Sequence, residues 1–220
     1  MPVTTEGPQG TTEGAFHWRV GYRIIRLQMG APIQDSKVAL RRQVRAQLTA
    51  MSTSQREAGS AKARALLQGQ PIWREAQSIL FYAPTPQELD VWPLLVAALA
   101  AGKTAALPSF RKQNAAYTAC IVKDAINDVR HGAFGIREPV ERCVGEEVNK
   151  LDLLLVPGVA FDLHGRRLGR GKGFYDQLLA AVSGKTIGVA FDQQIVREVP
   201  VEPHDAHLNC ILTPTRWLEL

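Results

Sequence analysis

The sequence predicts an α/β fold with three layers, in which a mostly parallel sheet carries helices on both faces. Short apolar runs that end at proline or glycine alternate along the chain with segments of helical periodicity. The run "LDLLLVPG" (151–158) is apolar at consecutive positions, as expected for a strand that is buried on both faces. With 220 residues, the chain is long enough for one such domain.

The elements follow from local patterns. The first helix is predicted to begin at Asp35 or Ser36, since either is a good N-cap. Its apolar residues are expected to share one face, and they are Val38, Leu40, Val44 and Leu48. Further helices are predicted at 54–67, 91–102 and 174–182. Strands are predicted at 78–84, 103–108, 115–122, 151–158, 185–191 and 209–214.

Composition excludes several classes of protein. Hydrophobic residues make up 45% and charged residues 21% of the chain, which is typical of a soluble globular protein. No apolar run approaches the roughly 18 residues of a membrane span. The net charge of +5 suits an anionic ligand, although a slightly basic surface explains it equally well. The three cysteines form no CxxC pair, so we expect reduced thiols and a cytoplasmic protein.

The N-terminal segment is predicted to lie outside the domain. Residues 1–34 are expected to be a disordered extension, and residues 35–220 a single domain. The arginines of residues 15–28 also fit an amphipathic or targeting segment, but no signal-peptide h-region accompanies them. A start of translation at Met29 is a further alternative.

The stretch "RLGRGKGFYD" (167–176) places three glycines among three cations, directly before a predicted helix. Backbone N–H groups at glycine and the start of a helix together favour an anion. The helix dipole supplies only about 0.3–1 kcal/mol, so Arg167, Arg170 and Lys172 must provide most of the recognition. The spacing matches neither the Rossmann fingerprint nor the P-loop. The alternative is an ordinary glycine-rich turn with a basic surface.

Three other patterns bear on function. Asp176, in the first turn of that helix, either stabilises the dipole or holds Mg²⁺ beside a phosphate. The sequence "HDAH" (204–207) lacks the further ligands of a zinc site. Arginines at 19–26, 41–45 and 166–170 suggest a nucleic-acid surface, but no recognised nucleic-acid-binding motif accompanies them.

Five segments together resemble one family. The longest, "LLLVPGVAFDLHGRRLGRGKGFYDQLL" (153–179), is similar to the signature of the 5-formyltetrahydrofolate cyclo-ligases, also called methenyltetrahydrofolate synthetases. Four more segments agree in order, and they are "KVALRRQVRAQ" (37–47), "FYAPTPQELDV" (81–91), "GIREP" (135–139) and "VPVEPHDAHLNCILTP" (199–214). The resemblance covers roughly residues 36–214.

The resemblance implies the fold of sugar-phosphate isomerases and CoA transferases. It also implies a ligase that uses ATP and Mg²⁺ to convert 5-formyltetrahydrofolate to 5,10-methenyltetrahydrofolate, with release of ADP and phosphate. We therefore expect a cytoplasmic monomer with small-molecule substrates and no nucleic-acid or membrane partner. A family member that binds nucleotide or folate without turnover, or that acts on another formylated substrate, is the alternative.

The resemblance also implies roles for particular residues. Lys37 and Arg41 would bind ATP from one helix face, whereas a solvated basic face is the ordinary fate of such residues. The other implied ATP-binding residues are Arg167, Leu168, Gly169, Arg170, Gly171, Lys172, Gly173, Phe174 and Tyr175. Among these, the catalytic ones would be Arg170, Lys172 and Tyr175.

The implied folate and metal sites use residues outside this loop as well. Ala83 and Glu88 would bind the folate, unless Glu88 is merely an exposed loop acid. Asp176 and Asp205 would hold Mg²⁺. Asn209 stands where many members carry an acid, which implies one carboxylate fewer near the metal.

Overall fold

A computed structural model gives the positions of residues 33–111, 116–132, 135–171, 173–202 and 206–220. The helices are α1 (Ile33–Ala50), α2 (Thr53–Gln68), α3 (Pro71–Glu75), α4 (Trp92–Ala100) and α5 (Phe174–Ala180). The strands are β1 (Ser78–Leu80), β2 (Thr104–Arg111), β3 (Ala116–Val122), β4 (Val129–His131), β5 (Arg137–Pro139), β6 (Gly145–Glu146), β7 (Leu153–Pro157), β8 (Ala160–Phe161), β9 (Arg167–Leu168), β10 (Lys185–Val189), β11 (Cys210–Leu212) and β12 (Trp217–Glu219).

The central sheet is mostly parallel, as predicted. Within the described ranges it has eight strands in the order β12-β11-β10-β7-β1-β2-β3-β6. Strands β11, β10, β7, β1 and β2 run parallel to their neighbours, and antiparallel pairs add β3, β6 and β12 at the two edges. The predicted strands at 103–108 and 115–122 are therefore an antiparallel pair, β2 and β3. The carboxyl ends of the parallel strands share one edge of the sheet, where ligands bind in such folds.

Strand β7 shows why helices cover both faces. Its side chains alternate, so that Leu153 and Leu155 pack with residues of α1, α2 and α4, while Leu154 and Val156 pack with residues of α5. All four leucine and valine side chains are fully buried, each contributing about 1.5–3 kcal/mol. The continuous apolar run in the sequence thus identifies the strand at the centre of three layers.

Helix α1 begins at Ile33, earlier than predicted, and its buried face differs from the predicted one. Leu40, Val44 and Leu48 are buried as expected, but Val38 is 61% exposed and Lys37 is buried in its place. At 3.6 residues per turn, Val38 lies about 120° around the helix from Val44. The prediction for Val38 is wrong because it was based on the apolar character of this residue and neglected its angular position on the helix.

A β-hairpin, which was not among the predicted elements, separates β7 from the glycine-rich loop. The hairpin consists of β8 and β9, and its turn depends on Asp162, which is fully buried. The Asp162 carboxylate accepts hydrogen bonds from the backbone N–H groups of His164, Arg166 and Val199 at 2.9, 3.2 and 2.7 Å. It also accepts one from Nε of Arg166 at 2.6 Å. Asp162 therefore holds the hairpin against the chain near Val199.

Several expectations concern residues that lie outside the described ranges. The predicted extension falls mostly on residues 1–32, and its disorder and the domain boundary stay predictions. All three cysteines lie within the described ranges, each is buried, and none of the three forms a disulfide bond. No described helix is both long and apolar enough to cross a bilayer.

Replacing Asp162 with alanine should lower the free energy of unfolding by about 3–5 kcal/mol, because it leaves the Arg166 guanidinium and three backbone N–H groups without a buried acceptor. Urea denaturation measures this. Glu198→Ala is the matched control, since Glu198 lies 3.3 Å from the same guanidinium but has a 59% exposed side chain. Its loss should be below about 1 kcal/mol. Equal losses in the two variants would contradict an anchoring role of Asp162.

Candidate active site

The glycine-rich loop adopts a backbone that side chains disfavour. Gly171 and Gly173 have φ values of +98° and +69°, in the left-handed region. Gly173 is also the N-cap of α5, so the helix begins at Phe174 as predicted, although it is only seven residues long. Glycine at these two positions lets the chain turn sharply from β9 into the helix.

Helix α1 contacts this loop through Arg41. Its Nε donates to the carbonyl oxygen of Gly169 at 2.9 Å, and a Cβ at Gly171 would lie 3.6 Å from the Arg41 guanidinium. Burial, with a smaller contribution from repulsion by Arg45, lowers the pKa of Arg41. Arg41 therefore fixes the loop with one donor, and its remaining donors face the same region.

Lys37 does not lie on a solvated basic face. It is only 6% exposed, and its Nζ lies 2.8 Å from Oε2 of Glu202. Gln34 donates to the same carboxylate at 3.3 Å. These contacts attach the segment near Glu202 to the first turns of α1, so the alternative interpretation of Lys37 is wrong.

Glu88 lies beyond the carboxyl end of β1, with a side chain that is only 13% exposed. Its Oε2 accepts hydrogen bonds from the backbone N–H and the hydroxyl of Thr85 at 2.9 and 3.0 Å. Its Oε1 lies 2.8 Å from Nη2 of Arg170, which also donates to the Thr85 hydroxyl at 3.0 Å. Glu88 is therefore not an exposed loop acid. The ion pair brings the glycine-rich loop and the end of β1 together.

A buried tyrosine lies close to Glu88. The hydroxyl of Tyr82 donates to the carbonyl oxygen of Leu89 at 2.6 Å. Burial, and then the nearby Glu88, Tyr175 and Asp90, raise the pKa of Tyr82 well above its ordinary value. The phenol therefore stays neutral at physiological pH and acts as a fixed donor.

Arg167 points inward rather than toward the loop surface. It is 7% exposed, its guanidinium forms an ion pair with Asp176, and it lies 5.6 Å from the ring centroid of Tyr175. Asp176 stands in the first turn of α5, as predicted, with a side chain that is 32% exposed. Arg167 thus fixes the positions of the acid and the ring that follow the loop.

Other predicted residues are placed as follows. Leu168 packs in the core, so only its backbone can meet a ligand. Ala83 is half-buried just beyond β1. Lys172, Asp205 and the side chain of Phe174 lie outside the described ranges, and their roles stay predictions.

Asn209 lies at the end of the sheet opposite to the glycine-rich loop. Its Oδ1 accepts hydrogen bonds from the backbone N–H and hydroxyl of Thr186 at 2.9 and 3.1 Å. It precedes β11, whereas the glycine-rich loop follows the opposite ends of the parallel strands. An acid at position 209 would therefore not add a carboxylate beside the loop.

Comparison with known proteins identifies the family. The sequence model that describes the 5-formyltetrahydrofolate cyclo-ligase family matches residues 33–214. The chain belongs to this family. A cyclo-ligase of Escherichia coli is 31% identical over 169 residues, which cover 75% of this chain and 92% of that protein. One of Mycolicibacterium smegmatis is 43% identical over 88 residues, or 39% of this chain and 45% of that relative.

This chain also shares its fold with a solved structure. The 5,10-methenyltetrahydrofolate synthetase of Aquifex aeolicus superposes with a TM-score of 0.76 at 33% identity, covering 84% of this chain and 92% of that one. The resemblance inferred from the sequence motifs is confirmed.

Sequence reasoning missed several polar partners in the site. Thr85 stands three residues before Glu88, a spacing that is typical of side-chain-to-backbone turns and was open to detection. Glu202 gave no such signal, because its contact with Lys37 joins positions 165 residues apart. Tyr82 was read only as part of an apolar strand.

Gly173→Ala should lower the free energy of unfolding by about 1–2 kcal/mol, the cost of a left-handed alanine. A Cβ at this position would meet no atom of the described residues within 4 Å, so the loss would arise from the backbone alone. Urea denaturation measures it. Gly69→Ala is the control, because Gly69 has a φ of −73° and should tolerate alanine with no loss. A Gly173→Ala protein as stable as the parent would exclude the left-handed turn.

Proposed function

We propose that this protein catalyses the ATP-dependent cyclisation of 5-formyltetrahydrofolate to 5,10-methenyltetrahydrofolate. Family membership supports the reaction. One contact indicates which residues would take part in it. The Arg170–Glu88 ion pair of 2.8 Å joins the proposed nucleotide loop to the proposed folate-binding acid. Two substrates that must react with each other would therefore meet at this point.

Catalysis of this reaction depends mainly on positioning the two substrates and neutralising the charge of the phosphates. The formyl oxygen attacks the γ-phosphorus of ATP, and ADP leaves. The N10 amine then attacks the formyl carbon and loses its proton, and the oxygen departs as phosphate. An amide oxygen that is a poor leaving group thus becomes a good one.

The described residues would position the substrates and neutralise charge from two sides, that of the nucleotide and that of the folate. Arg41 and Arg170 would neutralise phosphate charge as the γ-phosphoryl group transfers, with the backbone N–H groups of Gly169 to Gly173 around it. Glu88 would accept hydrogen bonds from the pterin N–H groups. Binding of the pterin would then compete with Arg170 for Glu88 and release this guanidinium toward the phosphates.

Magnesium is part of the proposal. Within the described ranges, no three His, Cys, Asp or Glu side chains cluster so as to hold a metal by themselves. Mg²⁺ in nucleotide sites usually takes one or two carboxylates and completes its shell with phosphate and water. The Asp176 carboxylate is a hard oxygen donor of the required type, and we propose Asp205 as the second ligand. The metal would neutralise charge on the phosphates.

The remaining aspects of the proposal concern partners and location. We infer a cytoplasmic monomer that acts on small molecules, without nucleic-acid or membrane partners. Purified protein given ATP, Mg²⁺ and 5-formyltetrahydrofolate should form the methenyl product, which is followed by its near-ultraviolet absorbance. Binding of ATP without any rise in absorbance would favour the non-catalytic alternative.

Two substitutions should separate the two halves of the site. Lys172→Ala should reduce kcat/KM for ATP, and Glu88→Gln should reduce kcat/KM for the folate, each by about 10- to 100-fold. The reason is that each removes one charged hydrogen-bonding group from one substrate. Steady-state kinetics with each substrate varied in turn measures both effects.

The matched controls for these variants lie on the exposed face of α2. Lys62→Ala and Glu57→Gln make the same chemical changes there and should leave both kinetic constants unchanged. Thermal melting checks the fold of all four proteins. A Lys172→Ala protein that melts well below the parent and keeps its ATP affinity would show that Lys172 is structural.

A further inference from the structure

A short turn carries Glu88, the acid that would bind the folate. The carbonyl oxygen of Thr85 accepts a hydrogen bond from the backbone N–H of Glu88 at 2.9 Å, which closes a turn over residues 85–88. Pro86 occupies the second position of this turn, where the fixed φ of proline is favourable. The turn is therefore held by its own backbone, without help from the Thr85 hydroxyl.

The hydroxyl of Thr85 lies between two charged groups. It is 3.0 Å from Oε2 of Glu88 and 3.0 Å from Nη2 of Arg170. A carboxylate only accepts hydrogen bonds and a guanidinium only donates them, whereas a hydroxyl does both. The hydroxyl proton of Thr85 must therefore point to Glu88, and a lone pair of the same oxygen must face Arg170.

This arrangement makes the two carboxylate oxygens of Glu88 unequal. Oε2 accepts hydrogen bonds from both the backbone N–H and the hydroxyl of Thr85, so its acceptor sites are filled. Among the described residues, the donor to Oε1 is Nη2 of Arg170, at 2.8 Å. Oε1 is thus the oxygen that is left for an N–H group of the pterin.

The position of Arg170 depends on the same hydroxyl. The Arg170 side chain is 51% exposed, and within the described ranges its guanidinium contacts Glu88 and Thr85. A pterin at Oε1 would replace the contact with Glu88, and the contact with Thr85 would remain. The guanidinium would then stay beside the glycine-rich loop, from where it can turn toward the phosphates.

We propose that Thr85 is a positioning residue of the active site, an inference that rests on the proposed function. Its hydroxyl orients the Glu88 carboxylate for the folate and keeps Arg170 beside the loop once the folate has bound. One side chain thereby acts on both substrate sites, through two residues that touch the substrates. A role in the turn alone would not need the hydroxyl, because the backbone already closes the turn.

Two substitutions at this position test the proposal. Thr85→Val keeps the branched shape and removes the hydroxyl, whereas Thr85→Ser keeps the hydroxyl. The valine variant should raise KM for the folate about fivefold and lower kcat about threefold, since both Glu88 and Arg170 lose a hydrogen-bonding partner. The serine variant should keep both constants close to those of the parent. Steady-state kinetics measures both constants.

Thr215→Val is the matched control. The Thr215 hydroxyl donates to Oδ1 of Asp192 at 2.6 Å, so this substitution also removes a hydrogen bond between a hydroxyl and a carboxylate. Neither residue has an assigned part in the reaction, and the variant should keep the kinetic constants of the parent. Thermal melting checks the fold of all three variants.

Two kinetic outcomes would overturn the proposal. One is a valine variant at position 85 with the kinetic constants of the parent. The other is a serine variant that loses as much activity as the valine variant does, which would assign the effect to the shape of the side chain rather than to its hydroxyl.

Direct binding separates this inference from the proposed function. Calorimetry with 5-formyltetrahydrofolate in the absence of ATP needs no turnover, and the parent should bind this folate about fivefold more tightly than Thr85→Val does. Absence of turnover by the parent would contradict the proposed function. Equal affinity of the parent and the valine variant for the folate would contradict the role of Thr85.

Discussion

The ion pair between Arg170 and Glu88 is the contact on which the geometry of the site depends. It crosses from the glycine-rich loop to the chain that leaves β1, and Thr85 holds both partners. Parallel β1 and β7 are adjacent in the sheet, so their carboxyl ends open on the same edge. The order of strands therefore brings together two segments more than 80 residues apart.

Contacts with neighbouring segments hold the glycine-rich loop in position. Asp162 fixes the hairpin that precedes the loop, and Arg41 holds the Gly169 carbonyl from α1. A carboxylate that is fully buried is stabilising only when its acceptor sites are filled. The Asp162 carboxylate accepts hydrogen bonds from four donors. This satisfied network forms a rigid base for the loop, while the backbone of the loop glycines stays free to turn.

The sequence was sufficient for the parallel strands of the sheet and for the family, because both depend on local patterns. Strands β6 and β12, at the two edges of the sheet, were not predicted. Consecutive apolar residues marked β7, and the fixed spacing of glycines and cations marked the loop. The hairpin of β8 and β9 was missed because two-residue strands carry no periodicity. The partners of Lys37 and Glu88 were missed because polar contacts between distant segments depend on tertiary packing, which the helical pattern of α1 does not encode.

Arginines of this site differ in role according to burial. Family resemblance assigned Arg167 to the triphosphate, but its guanidinium is buried against Asp176 and Tyr175. The Arg167 side chain is only 4% exposed, whereas that of Arg170 is 51% exposed. We therefore propose that Arg167 acts on the substrates through the two residues it positions. Arg41 and Arg170 lie nearer the surface, where we propose that their donors bind the substrates. The charge that an anion meets here is therefore set by packing rather than by the number of arginines in the motif.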